Sequence, residues 1–130
     1  MSESYAVLPV TDEVRAWLAS VGCARPRIDG KTLSLLQLKQ VISSLDGVSS
    51  IWGSGRIQDG HLRSSSGSET TVIVGKPGTG SEPCEFHFRG GEPELIELVV
   101  REIARHAGPQ VIYAHSGTFI KVIGETGAGA

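Results

Sequence analysis

The residues from 84 to 107 change period half-way. Cys84-Glu-Phe-His-Phe-Arg89 alternates apolar and polar, and after Gly90-Gly91 the apolar residues Leu95, Ile96, Val99, Val100, Ile103 and Ala107 recur at helical spacing. The first pattern is a strand with one buried face, and the second is a helix with one buried stripe. Each must hide its apolar side against a partner, so the segment commits the chain to a layer of sheet packed on helix. On the strand, Cys84, Phe86 and Phe88 form the inward set, while Glu85, His87 and Arg89 face solvent or a partner. Pro93 suits the first helical position and Gly108-Pro109 stops the helix. Glu97 and Arg101 lie four apart on its outer side and are expected to pair weakly.

Other segments add elements of both kinds. Tyr5-Ala-Val-Leu-Pro-Val10 reads as a strand, and Pro9 requires that it end early or lie at an edge. Thr11 caps a helix carrying Val14, Trp17, Leu18 and Val21, which stops at Gly22. A second helix is expected from a Thr32 cap through Leu33, Leu36, Val41 and Leu45 to Gly47. Val48 to Trp52 is a short strand, Thr70 to Val74 a clear one, and Val111–Ala114 with Thr118–Ile123 a terminal pair turned at Ser116-Gly117. Residues 56–68 read as a loop with a mobile Ser-rich end, within which two short strands could turn at Asp59-Gly60. Residues 75–83 read as a second loop and 124–130 as a frayed tail. The expected fold is therefore α+β: one domain over 1–130, a mostly antiparallel sheet with about three amphipathic helices packed on one face in two layers. The other sheet face is left for binding.

Composition narrows the function. The chain has 130 residues, 12 Lys+Arg against 14 Asp+Glu, and a formal charge of −2, so no basic field draws in nucleic acid. No apolar run approaches the roughly 20 residues of a membrane-spanning helix. With only 2 cysteines and no basic, apolar leader at Met1–Val14, the expectation is a reduced protein of the cytoplasm.

Catalytic and metal motifs are thin. Gly75-Lys-Pro-Gly-Thr-Gly-Ser81 has the glycine spacing of a phosphate loop, but Ser81 stands where Lys is required and a strand follows, so it reads as a hairpin loop. His61, His87, His106 and His115 are scattered; His87 and His115 could meet if their strands pair, with Glu85 as a third candidate ligand. Cys84 alternates in phase with two phenylalanines and reads as a buried, inert thiol, while Cys23 follows a helix C-terminus, which disfavours a thiolate. No nucleophile elbow or zinc-protease helix is present. The expectation is no catalytic residue, no cofactor and no metal.

Phe86-His-Phe88-Arg-Gly-Gly-Glu-Pro-Glu-Leu-Ile96, followed by a helix ending in Gly108-Pro-Gln-Val111 and a terminal hairpin, resembles small bacterial immunity proteins. Tyr5-Ala-Val-Leu-Pro-Val-Thr11 before a Trp-containing helix is similar to the same group. These single-domain proteins are encoded beside secreted polymorphic toxins, including type VI secretion effectors. The resemblance covers both ends and leaves residues 47–83 without a counterpart. It implies a non-enzymatic inhibitor that binds a cognate toxin and occludes its active or essential surface, as a monomer or weak homodimer. Many immunity proteins are more acidic than this chain. The candidate partner-binding residues are Glu85, His87 and Arg89 on the outward strand face, and Trp52, Arg56, Asp59 and His61 in the middle of the chain, Trp and Arg being frequent interface anchors. The alternatives are a small hydrolase using His87, His115 and a carboxylate, and an adaptor or oligomer subunit using the open sheet face or an edge strand.

Overall fold

The segment from 84 to 107 forms strand β5 (Glu85–Arg89) and helix α3 (Pro93–Ala107). They belong to a computed structural model that describes residues 4–23, 25–53, 59–75, 83–117 and 120–124. The remaining elements are β1 (Ser4–Pro9), α1 (Asp12–Ser20), α2 (Leu35–Ser43), β2 (Val48–Trp52), β3 (Gly60–Ser64), β4 (Glu69–Gly75), β6 (Gln110–Ala114) and β7 (Ile120–Ile123). The strands form one seven-stranded antiparallel sheet in the order β2-β3-β4-β5-β1-β6-β7. The chain has the α+β fold its alternating periods demand.

The main core lies under α2 and α3. Leu38 and Ile42 from α2, and Ile96, Val99, Val100 and Ile103 from α3, meet Leu62, Val72, Phe88 and Ile112 from the sheet. Cys84, Phe86 and Phe88 all point into this cluster, as their alternation requires. Burial raises the Cys84 thiol pKa, so it stays protonated and inert.

Helix α1 departs from the expected single helical layer. Its Leu18 is buried with Val10 and Val111, alongside Val14, Trp17, Ile120 and Val122. Val111 points away from its neighbour Ile112, which belongs to the main core, so α1 lies on the opposite side of the sheet from α2 and α3. It covers only the β6–β7 corner. The reason is visible in β6: Val111 and Ile112 are both apolar, so this end of the sheet has two faces to bury.

Several local expectations change or narrow. The cap of α2 is Ser34, not Thr32: the Gln37 amide donates to Ser34 Oγ at 3.2 Å and the Ser34 amide to Gln37 Oε1 at 3.0 Å, a reciprocal capping box. Residues 60–64, expected inside a loop over 56–68, are β3. The hairpin turn falls on the serines instead of Asp59-Gly60: the Gly67 amide donates to the Ser64 carbonyl at 3.0 Å with Gly67 at φ 96°, and Ser64 Oγ accepts from the Ser68 amide at 3.1 Å. Strand β1 is central, between β5 and β6, so Pro9 marks its end and not a sheet edge. Glu97 pairs across to Lys121 on β7 at 2.6 Å and not along the helix to Arg101.

Thr11 caps α1 through a 3.3 Å bond from the Val14 amide, and Gly22, Gly108 and Gly117 take left-handed conformations where turns were expected. The Gly75–Ser81 loop is outside the described residues beyond Gly75, as are 118–119 and 125–130 of the terminal segment.

Candidate functional site

Register decides which side chains share the second face of the sheet. Ile51 pairs with His61, His61 with Thr71, and Thr71 with Arg89, so one row crosses β2, β3, β4 and β5. The next row runs from Ile73 to His87 to Ala6 to Tyr113. Arg63 and Glu69 are partners in a third. Among the described residues no helix covers these rows, because α1 reaches only as far as Tyr113, whose ring meets Trp17 edge-on at 5.5 Å. The result is an open surface from β2 to β1, bounded by α1.

The surface mixes apolar, imidazole and charged groups. Ile51 is 75% exposed near one edge. His61 Nε2 lies 3.1 Å from Glu69 Oε1, and its Nδ1 lies 3.4 Å from Thr71 Oγ1. Around Ala6 there is a concavity of about 280 Å³, lined by Leu8, Ile73, Glu85, His87, Tyr113 and His115. Its origin is sequence-local: Ala6 stands in register between His87 and Tyr113, and its methyl group leaves a low floor between taller neighbours.

The imidazoles of His87 and His115 face each other here with ring centroids 6.1 Å apart. Direct pairing of their strands is one way for them to meet, yet the two strands do not pair. Strand β1 lies between them, the His115 amide donates to the Ser4 carbonyl at 3.0 Å, and the rings lean towards each other over Ala6. The His87 pKa is lowered by its burial, then by the neighbouring His115 and Arg89, with Asp59 opposing them. The ring is therefore mostly neutral at pH 7. Among the described residues no group of three or more His, Cys, Asp or Glu is placed to hold a metal ion, and Glu85 does not complete one.

The candidate residues separate accordingly. Glu85, His87, Arg89 and His61 all share the open face, with Glu85, Arg89 and His61 exposed and His87 half-buried. Trp52 does not join them. Its ring packs towards the main core, lies against Gly60, where an added Cβ would approach it to 2.7 Å, and carries Lys39 Nζ 5.3 Å from its centroid. Asp59 is half-buried and spends one carboxylate oxygen on the Val74 amide at 3.3 Å, tying the start of β3 to the end of β4. Arg56 lies outside the described residues.

The chain matches no protein-family model, no curated protein and no solved structure.

Ile51, Ile73 and Tyr113 join this face although no sequence pattern marks them as site residues, and Arg63, which clusters in sequence with Trp52, Arg56 and His61, lies on it as well. His61-Leu-Arg63 does carry a period-two signal, hidden by the serines that follow. Tyr113 lies in an apolar run buried on both sides, where alternation cannot tell which face a residue takes. No helix of the described residues is long and apolar enough to cross a membrane.

Proposed function

We propose that this chain is a non-enzymatic immunity protein of the cytoplasm that binds a cognate secreted toxin, and that the open sheet face is its binding surface. The observation that carries the reading is that face itself, a broad surface on which exposed Ile51, half-buried Ile73 and His87 and exposed Arg63 and Arg89 lie side by side. A solvent face of an antiparallel sheet is ordinarily polar. Apolar and imidazole groups among charges match the composition of an interface, where a few anchors are ringed by polar contacts. The resemblance of residues 86–96 and 5–11 to immunity proteins, including those guarding against type VI effectors, supports a toxin as the partner.

The mechanism is occlusion. A rigid sheet face is pre-organised, so little ordering cost is incurred on binding and the toxin's active or essential surface is covered as soon as the two meet. Co-expression with the product of the adjacent upstream gene, scoring growth rescue and co-purification, tests this. Rescue with a stable complex is expected. Toxicity that persists with no complex, for that neighbour and for other toxins encoded alongside, would contradict it.

A hydrolase is the second reading, favoured by the hollow that gathers Glu85, His87 and His115. Its mark would be turnover of an ester or phosphoester that His87→Gln abolishes.

A further inference from the structure

Taking the open face as a partner surface, we propose that the hollow over Ala6 accepts a carboxylate side chain of the partner, held between His87 and His115 with Arg89 beside them. The inference rests on the reading above and names the chemistry that the partner must present.

Geometry comes first. A carboxylate oxygen bonded to a ring nitrogen lies about 4 Å from the ring centre. Two rings whose centroids are 6.1 Å apart and tilted by 41° can therefore share one such oxygen. The concavity of about 280 Å³ is large enough for one acidic side chain, and Leu8, Ile73 and Tyr113 supply apolar contacts for its methylenes.

Charge points the same way. The Arg89 guanidinium, like that of Arg63 on the same face, has no salt-bridge partner among the described residues. The charged and titratable groups about His87 are Arg89 and Glu85 on its own strand, His115 and Tyr113 at β6, and Asp59 before β3. Asp59 is engaged with the Val74 amide and Glu85 lies towards the Gly75 end of the hollow. Each imidazole can present a ring N–H to the centre, and no carboxylate is grouped with the pair. Burial first, and then His115 and Arg89, hold His87 towards its neutral form; an arriving carboxylate would counter the two charge contributions, so binding should take up a proton. A divalent cation fits less well, since no third ligand is placed beside the two imidazoles and Arg89 would repel it.

The test uses the full chain and an acetylated, amidated tetraglutamate peptide at low salt, read by the imidazole NMR signals of the four histidines. The His87 and His115 signals should move saturably while those of His61, already beside Glu69, stay in place. The His87 midpoint should rise with peptide, and affinity should be roughly tenfold higher at pH 6 than at pH 7.5. Arg89→Ser should weaken binding about tenfold while leaving Tm unchanged. The proposal is overturned if the two signals do not move, if tetralysine moves them equally, if His87→Gln binds the peptide as wild type does, or if zinc alone moves both rings where the peptide does not. Its failure is distinct from that of the parent reading. Toxin capture with unchanged affinity in His87→Gln and Arg89→Ser would remove this anchor and leave toxin binding standing. Peptide binding without any toxin complex would keep the acceptor and remove the toxin.

Discussion

Under α2 and α3, Leu62, Val72 and Phe88 are wholly buried, each at 0% exposure. On the reverse of the same strands, His61, Arg63, Glu69 and Arg89 are exposed. The pleat makes adjacent residues neighbours in sequence and opposites in environment. One face contributes most of the stability, and the other is free to be shaped for recognition. The α1 corner is intermediate, with a small second cluster of three buried residues that gives the β6–β7 end a cover of its own.

The contrast between the two faces is greatest at Phe88. Phe88→Ala should cost about 3–5 kcal/mol of unfolding free energy in urea, because a large cavity opens in the main core. A loss below about 1 kcal/mol would show that this face is not where the stability resides. At the α1 corner, Leu18→Ala should cost about 2–3 kcal/mol, the low end for a buried leucine, since a smaller cluster can relax around the gap. A cost matching that of Phe88→Ala would make the corner an equal partner in the core. Ser34→Ala removes one half of the α2 capping box and should cost about 1 kcal/mol, measurable as a lower urea midpoint at an unchanged slope.

Smaller effects belong to the open face. Because the folded-state pKa of His87 is lowered, the unfolded chain takes up that proton first, so His87 subtracts stability as pH falls below its ordinary value of 6.5. That loss is complete once pH drops below the lowered value, and His87→Gln should flatten this part of the stability–pH curve. An unchanged curve would place His87 in a more hydrated setting. Arg89→Glu and Ile51→Lys should each change stability by less than about 0.5 kcal/mol.

Much of this contrast was legible in the residues. Cys84 to Arg89 assigns its own inner and outer faces, and the apolar stripe from Leu95 to Ala107 places α3 on the inner one. What could not be read were features settled between distant segments. Thr32 and Ser34 are both chemically able to cap, and only the reach of Gln37 back to the Ser34 amide chooses between them. Strand β3 was obscured because a serine-rich turn looks like a mobile linker until its hydroxyls find backbone partners. The side taken by α1 follows from β6 being apolar on both faces, a pattern that marks burial without saying what does the burying. Within the candidate surface, Glu85, His87 and Arg89 followed from period two alone. Trp52 and Asp59 instead went to structural roles that depend on Gly60, Lys39 and Val74.

The claim that one face folds and the other binds is tested most directly by a single variant carrying Ile51→Lys, His87→Gln and Arg89→Glu. Its toxin affinity and its urea unfolding should be measured side by side with those of the unaltered chain. The expected result is an unfolding free energy within about 1 kcal/mol of the original and an affinity lower by at least roughly a hundredfold, the effect of losing clustered anchors. Full affinity in a variant that folds normally would contradict the assignment and move the binding surface elsewhere on the molecule.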